Sequence, residues 1–168
     1  MKSKLAIFAV LATAAAPAFA AGDATKGEAV FKQCQTCHSV MDETGKLVAG
    51  KGAKTGPNLY GVFGRQVGSY PDFKYGDSIV AAGKTGLVWD EASFVDYVQD
   101  PSNHWKTVLG DKSAKSKMMF KVKNAAVAED VYAYLIQFSP NAGAAPAPAD
   151  PAAAAPADPA APAPATTP

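Results

Sequence analysis

The sequence predicts an all-α domain, with three main helices, short helical pieces, and long loops wrapped round a large non-polypeptide group. Three observations carry that reading. Three segments place apolar residues at helical spacing between a capping residue and a stop. No segment alternates apolar and polar residues as a half-buried strand does, and no internal repeat is visible. The stretches at residues 39–76 and 101–123 are punctuated by Gly, Pro, Lys and Ser and read as loops. Loops that long in a compact domain usually enclose something.

The helices follow in order. Asp23 is placed to cap the first, which runs to about Gln33 with Gly27, Val30, Phe31 and Cys34 in register. Asp90 is placed to cap the second, "DEASFVDYVQDP", with Phe94, Tyr97 and Val98 on one face and Pro101 as its stop. Asn124 is placed to cap the third, with Val127, Val131, Tyr134, Leu135 and Phe138 in register and Pro140 as its stop. A short helix over residues 77–82, ended by Gly83, is also expected.

The two ends of the chain differ from its middle. Lys2 and Lys4 precede an apolar run over residues 5–16, and Ala18, Phe19 and Ala20 form an A-x-A cleavage pattern. That is the pattern of a secretory signal peptide, residues 1–20, cleaved after Ala20. The run is short of the roughly 18 residues of a membrane-spanning helix. Export to a bacterial periplasm is the expectation. Of the 28 residues in 141–168, 14 are Ala and 8 are Pro, and Asp150 and Asp158 are the only charges. Such a composition cannot bury a core and reads as a disordered, polyproline-like tail. Residues 21–140 then make one domain of ordinary size.

Both cysteines stand in "VFKQCQTCHSV". In an exported chain a Cys-x-x-Cys pair suits a disulfide or a thioredoxin-like redox pair, but the latter belongs in a βαβ pattern that is not visible. A tetrahedral zinc site would need four ligands and would consume Cys34, Cys37, His38 and His104. The adjacent histidine favours a third reading, since C-x-x-C-H is the attachment signature of c-type haem. On a helical turn, Cys34 and Cys37 share a face, near enough to reach the two vinyl groups of one porphyrin. His38, four residues after Cys34, points its imidazole the same way. The expected cofactor is one haem c per chain, held through Cys34 and Cys37. A covalent haem also supplies an apolar core element to a loop-rich chain. For the sixth position on the iron the candidates are His104, Met118, Met119 and Met41. Methionine is more often a gap-filler than a ligand. Two of these, however, sit in "KSAKSKMMFKV", a polar loop where no helix face needs filling. His104, in "PSNHWKT", reads as a surface or loop histidine beside Trp105.

The pieces "GEAVFKQCQTCHSV", "KTGPNLYGVFGR", "FKYGD", "LVWDEASFVDYVQDP", "KSKMMF" and "DVYAYL" together resemble the class I cytochromes c, in family order over nearly all of residues 23–139. The resemblance is to mitochondrial cytochrome c and the larger soluble bacterial members. It implies the class I fold. It implies His38 as the proximal ligand, its other ring nitrogen donating to the Pro57 carbonyl. It implies Met118 as the distal ligand, because the family reads Lys-Met-x-Phe, with Met119 a partly packed neighbour. Tyr75 and Trp89 are implied as donors to a haem propionate, Arg65 near the same edge, and Tyr97 beside the methionine sulfur. Gly27 and Phe31 are implied to meet Tyr134 where the first and last helices cross. By the same resemblance, residues 38–57 and 101–118 look longer than their counterparts in mitochondrial cytochrome c, as in the larger bacterial members.

The resemblance further implies a one-electron carrier and no enzyme: His/Met ligation fills both axial sites, so the iron is closed to substrate. The alternative is a haem enzyme or gas sensor with an open or weakly ligated iron. The charge pattern suggests how such a carrier docks. Residues 21–140 carry 14 Lys/Arg against 13 Asp/Glu, yet residues 104–123 hold six lysines against Asp111 alone. A Lys-rich haem edge steers acidic partners. The expected partners are membrane complexes such as a cytochrome bc1 complex and a terminal oxidase or reaction centre. Nucleic acid is not expected, and the chain is expected to be a monomer.

Overall fold

The computed structural model describes residues 22–140 and residue 142. The expected signal peptide and, apart from residue 142, the Ala/Pro tail lie outside the described residues. Five α-helices and one short β-hairpin make up the described chain.

Helix α1 spans Ala24–Cys34, and the Asp23 carboxylate caps it by accepting from the Thr25 and Lys26 amides at 2.9 and 3.2 Å. Helix α5 spans Ala125–Leu135, is capped by Asn124 accepting from the Val127 amide at 3.0 Å, and tightens into a 3-10 turn, Ile136–Phe138. These two helices cross at Gly27, where a Cβ would collide with the Asp130 carbonyl oxygen. Only glycine lets the backbones approach so closely. Beside the crossing, the rings of Phe31 and Tyr134 lie 5.3 Å apart. The Asp23 amide also donates to the Asp130 carboxylate at 2.7 Å, tying the start of α1 to α5.

Helix α3, Glu91–Gln99, opens with a reciprocal cap between Asp90 and Ser93. Its Phe94 meets Phe63 edge-on at 5.2 Å, and Phe63 meets Tyr132 of α5 at 4.5 Å. The core is therefore aromatic where α3 and α5 face each other. Val131 and Leu135 of α5 are almost wholly buried beneath this cluster.

Three local expectations need correction. Pro101 stops α3 but also starts a further helix, α4, Pro101–Leu109. Asp100 caps it by accepting from the Asn103 amide at 3.1 Å, and proline at the first helical position loses no hydrogen bond. Residues 101–109 are thus helix, and the loop begins only at Gly110, whose φ of 62° closes α4 in the left-handed region. Helix α2 spans Asp77–Lys84 and does not stop at Gly83. Gly83 is buried inside it because a Cβ there would strike the Val67 carbonyl. Residues 39–50 are not all loop: β1, Ser39–Met41, pairs antiparallel with β2, Leu47–Gly50. Asp42 fastens the turn, its Oδ1 accepting from the Thr44 and Lys46 amides at 2.9 and 3.0 Å. Among the described residues no helix is long and apolar enough to cross a membrane.

Candidate haem site

The site begins at the end of α1. Cys34 is its last residue, and the chain turns at once: the amides of Cys37 and His38 both donate to the Cys34 carbonyl, at 3.0 and 2.9 Å. Cys37 is exposed, Cys34 is half-buried, and both thiols are free. Burial pushes the Cys34 thiol up to about 11. That is the reverse of a redox-active thiol, which needs a depressed pKa to act as thiolate.

His38 follows, half-buried. Its Nδ1 is 2.9 Å from the carbonyl oxygen of Pro57. With Nδ1–H donating there, the Nε2 lone pair is left for a metal. Burial holds the imidazole below its ordinary pKa, against the opposing pull of the Pro57 carbonyl, so the neutral ligand form is favoured. Gly56 is the floor under this ring: a Cβ at 56 would fall 2.6 Å from Nδ1 and 2.8 Å from Nε2. The Gly56 amide donates to the Cys37 carbonyl at 2.7 Å, closing the 56–57 segment onto the cysteine turn. The Asn58 amide then bridges to β1, donating to the Met41 carbonyl at 2.7 Å and accepting from its amide at 2.9 Å. Met41 is accordingly anchored to this side of the molecule by its own backbone.

A second group of predicted residues converges through a short backbone ladder. The Gly64 amide donates to the Trp89 carbonyl and the Trp89 amide to the Arg65 carbonyl, at 2.9 and 3.0 Å, which sets Arg65 beside Trp89. Arg65 is no free surface charge: Nη1 donates to the Tyr60 carbonyl and Nη2 to the Asn58 carbonyl, both at 3.0 Å, and the guanidinium sits over the Tyr70 ring. Tyr75 shares this neighbourhood. Burial raises its phenol, and the positive charge of Arg65 pulls it the other way. Trp89 is buried, its ring 5.0 Å from that of Tyr97.

The third group holds the methionine loop. Met118 is half-buried and packed against the core, and its amide donates to the Ser116 hydroxyl at 3.1 Å. That hydroxyl is 3.0 Å from the phenol oxygen of Tyr97 on α3. The expectation of a partly packed Met119 is corrected: it is 82% exposed, because neighbouring side chains on an extended loop point to opposite sides. The expectation for His104 is corrected as well. It lies buried on α4 beside Trp105, with Nδ1 2.6 Å from Asp96 Oδ2. Among the described residues no three His, Cys, Asp or Glu side chains converge on a point that would hold a metal ion. Two unbonded thiols on one turn, an adjacent neutral imidazole with a free Nε2, and a core-facing thioether fit a covalent haem, and do not fit zinc or a dithiol catalyst.

No family model matches the chain. It is 52% identical over 134 residues to the cytochrome c2 of Cereibacter sphaeroides, covering 79% of this chain and 92% of that protein. It is 49% identical over 153 residues to the cytochrome c-550 of Paracoccus versutus, covering 88% and 97%. The crystal structure of cytochrome c2 from Rhodobacter sphaeroides superposes with a TM-score of 0.68 at 52% identity, over 70% of this chain and 97% of that one.

The chain belongs to the class I cytochromes c.

As a class I cytochrome c it is a one-electron carrier, and its cofactor is a single haem attached through Cys34 and Cys37, the chain's only cysteines. The family's all-α fold is the fold observed here. Three contributors escaped the sequence reading. Gly56 and Asn58 stand within "KTGPNL" and Ser116 within "KSKMMF", and no local pattern singles any of them out. Their contacts cross 17 to 19 residues, which no local pattern reveals.

Proposed function

We propose that the carrier works with His38 and Met118 as the two axial ligands of its haem, in a periplasmic chain whose mature domain is residues 21–140. In this reading the signal peptide is cleaved after Ala20, and residues 141–168 are the Ala/Pro-rich segment that follows the domain in sequence. The observation that carries the ligand reading is the pair of anchored donors. His38 is fixed by Pro57 with Nε2 left over, and Met118 is fixed by Ser116 and faces the core.

The haem supplies reversible one-electron chemistry at its iron. The chain's residues tune and present it. The neutral Met118 thioether and the neutral His38 ring add no negative charge, and burial disfavours the more highly charged oxidised state. The Arg65 guanidinium, held by two carbonyls, adds a fixed positive charge that favours reduction further. Tyr75 and Trp89, beside Arg65, are the donors for a propionate. Two strong axial ligands leave no position for a substrate, so the chain is a carrier and no enzyme.

Docking uses the lysines around the methionine loop. Lys106, Lys112, Lys115, Lys117, Lys121 and Lys123 are all exposed. Lys117 donates to the Lys74 carbonyl at 2.9 Å and Lys121 pairs with Asp100 at 2.7 Å, so these two also brace the loop. The ammonium groups of Lys112, Lys115 and Lys123 have no protein partner among the described residues. They are available to steer an acidic surface on a cytochrome bc1 complex, a terminal oxidase or a reaction centre. Changing these three to glutamate should slow electron transfer with such a membrane complex at low salt and flatten its ionic-strength dependence. Unchanged stopped-flow rates at low salt would remove the docking role, without touching the ligand assignment.

A further inference from the structure

Helix α4 carries a buried ionisable side chain that neither the attachment site nor the docking face uses. His104 is 5% exposed, and its Nδ1 lies 2.6 Å from Oδ2 of Asp96, whose side chain is 70% exposed on α3. His104 Nε2 and the neighbouring Trp105 Nε1 are both buried without a protein partner. The His104 ring meets Trp105 edge-on at 4.7 Å and Tyr97 edge-on at 5.6 Å. Burying polar atoms unpaired costs stability, and an apolar side chain of similar size would fill the space at less cost. Packing alone therefore does not account for a histidine here.

What the pair touches gives it a role. Asp96 and His104 join α3 to α4, and those two helices together hold Ser116. The Ser116 amide donates to the hydroxyl of Ser102 on α4 at 3.2 Å. The Ser116 hydroxyl is 3.0 Å from the phenol oxygen of Tyr97 on α3, and it accepts from the Met118 amide at 3.1 Å. Tyr97 is in turn packed against His104, Trp105 and Trp89. One side chain bond between the helices thus lies upstream of both anchors of the methionine loop.

We propose that Asp96 and His104 form a positioning pair for Met118, locking α3 against α4 so that Tyr97 and Ser102 grip Ser116 together. This rests on the reading of Met118 as a ligand. Neither residue of the pair is a ligand of the iron in this reading; both act through Tyr97 and Ser102 on Ser116. Breaking the bond lets the two helices shift independently, and the loop opens more often.

The test is the rate at which added imidazole binds the oxidised, full-length haem protein, since imidazole enters only when Met118 leaves. Asp96→Ala and His104→Leu should bind imidazole about tenfold faster, the size expected for loss of a hydrogen bond to a charged group. His104→Asn, whose amide nitrogen takes the place of Nδ1, should restore the slow rate. A purely structural role would change the melting temperature of His104→Leu, in either direction, and leave the imidazole rate alone. Wild-type rates in folded Asp96→Ala overturn the proposal, and that exposed position keeps the test decisive if His104→Leu does not fold. Met118→Ala is the control. Loss of its long-wavelength band with unchanged pair variants refutes the pair alone, whereas retention of that band refutes the ligand reading and the pair with it.

Discussion

His38 Nδ1 lies 2.9 Å from the Pro57 carbonyl oxygen, and Gly56 is the residue that lets it stay there. The ring lies against the Gly56 backbone, so this hydrogen bond and that contact together fix the tautomer and the plane of the imidazole.

Gly56→Ala is therefore predicted to tilt or expel the ring. Its Cβ would overlap Nδ1 and Nε2, and the ring cannot yield without losing Pro57. Overpacking of this kind costs about 1–3 kcal/mol. Thermal melts should show the loss, and the midpoint potential should fall as His38 becomes a poorer ligand. A variant with wild-type melting temperature and potential would show that the ring has room to spare.

Gly27→Ala is predicted to be the more damaging glycine change. The obstacle there is the Asp130 carbonyl, which is backbone on a packed helix and cannot swing aside. A loss of about 3 kcal/mol or more is expected, with α1 and α5 forced apart. The oxidised absorption spectrum of the surviving folded fraction should stay close to wild type, because no ligand is touched. Denaturant titration gives the first quantity; an unchanged midpoint would contradict the close crossing.

Asp90 supplies a pH-dependent cap. Partial burial pushes its carboxyl up, but the hydroxyl and amide of Ser93 outweigh this and hold it below the ordinary Asp value of 3.8. A depressed folded pKa means that the stabilisation is fully present above the unfolded value. It is lost as pH falls below about 3.8 towards the folded value. Asp90→Asn should keep the cap and lose that acid dependence, and Asp90→Ala should cost about 1 kcal/mol at neutral pH. Melts between pH 7 and pH 2.5 separate the two. An Asn variant with the wild-type acid slope would assign the slope to other carboxylates.

Much of the fold was legible because its signals are local. Asp23, Asp90 and Asn124 each cap the helix expected of them, and the periodic residues Phe31, Phe94, Val131 and Leu135 are buried as their spacing implied. Two of the misses share one cause, which is that a residue had two uses. Pro101 ends one helix and begins the next, and reading it only as a stop turned α4 and His104 into loop. Gly83 resembles a helix terminator but serves a contact with Val67, far away in sequence. The hairpin strands have 3 and 4 residues, too few for alternation to be recognised. The attachment motif is contiguous and was readable outright. The grip on Met118 passes through Ser116, Tyr97 and Ser102, which only the folded chain assembles.

The exposure of Met119 also sets what its removal should cost. Being 82% exposed, it should change stability by less than about 0.5 kcal/mol when cut to alanine. A larger loss in a denaturant titration would mean that the side chain packs in the haem-loaded protein.

The most direct test of the whole account is the absorption spectrum of the oxidised protein in three versions. Wild type and Met119→Ala should both show the long-wavelength band of a methionine sulfur bound to ferric iron. Met118→Ala should lose it, with a lower midpoint potential and an iron open to cyanide. A band that survives in Met118→Ala, or disappears in Met119→Ala, would contradict the ligand assignment. Its absence from the wild type at neutral pH would contradict the closed, His/Met-ligated iron on which the mechanism rests.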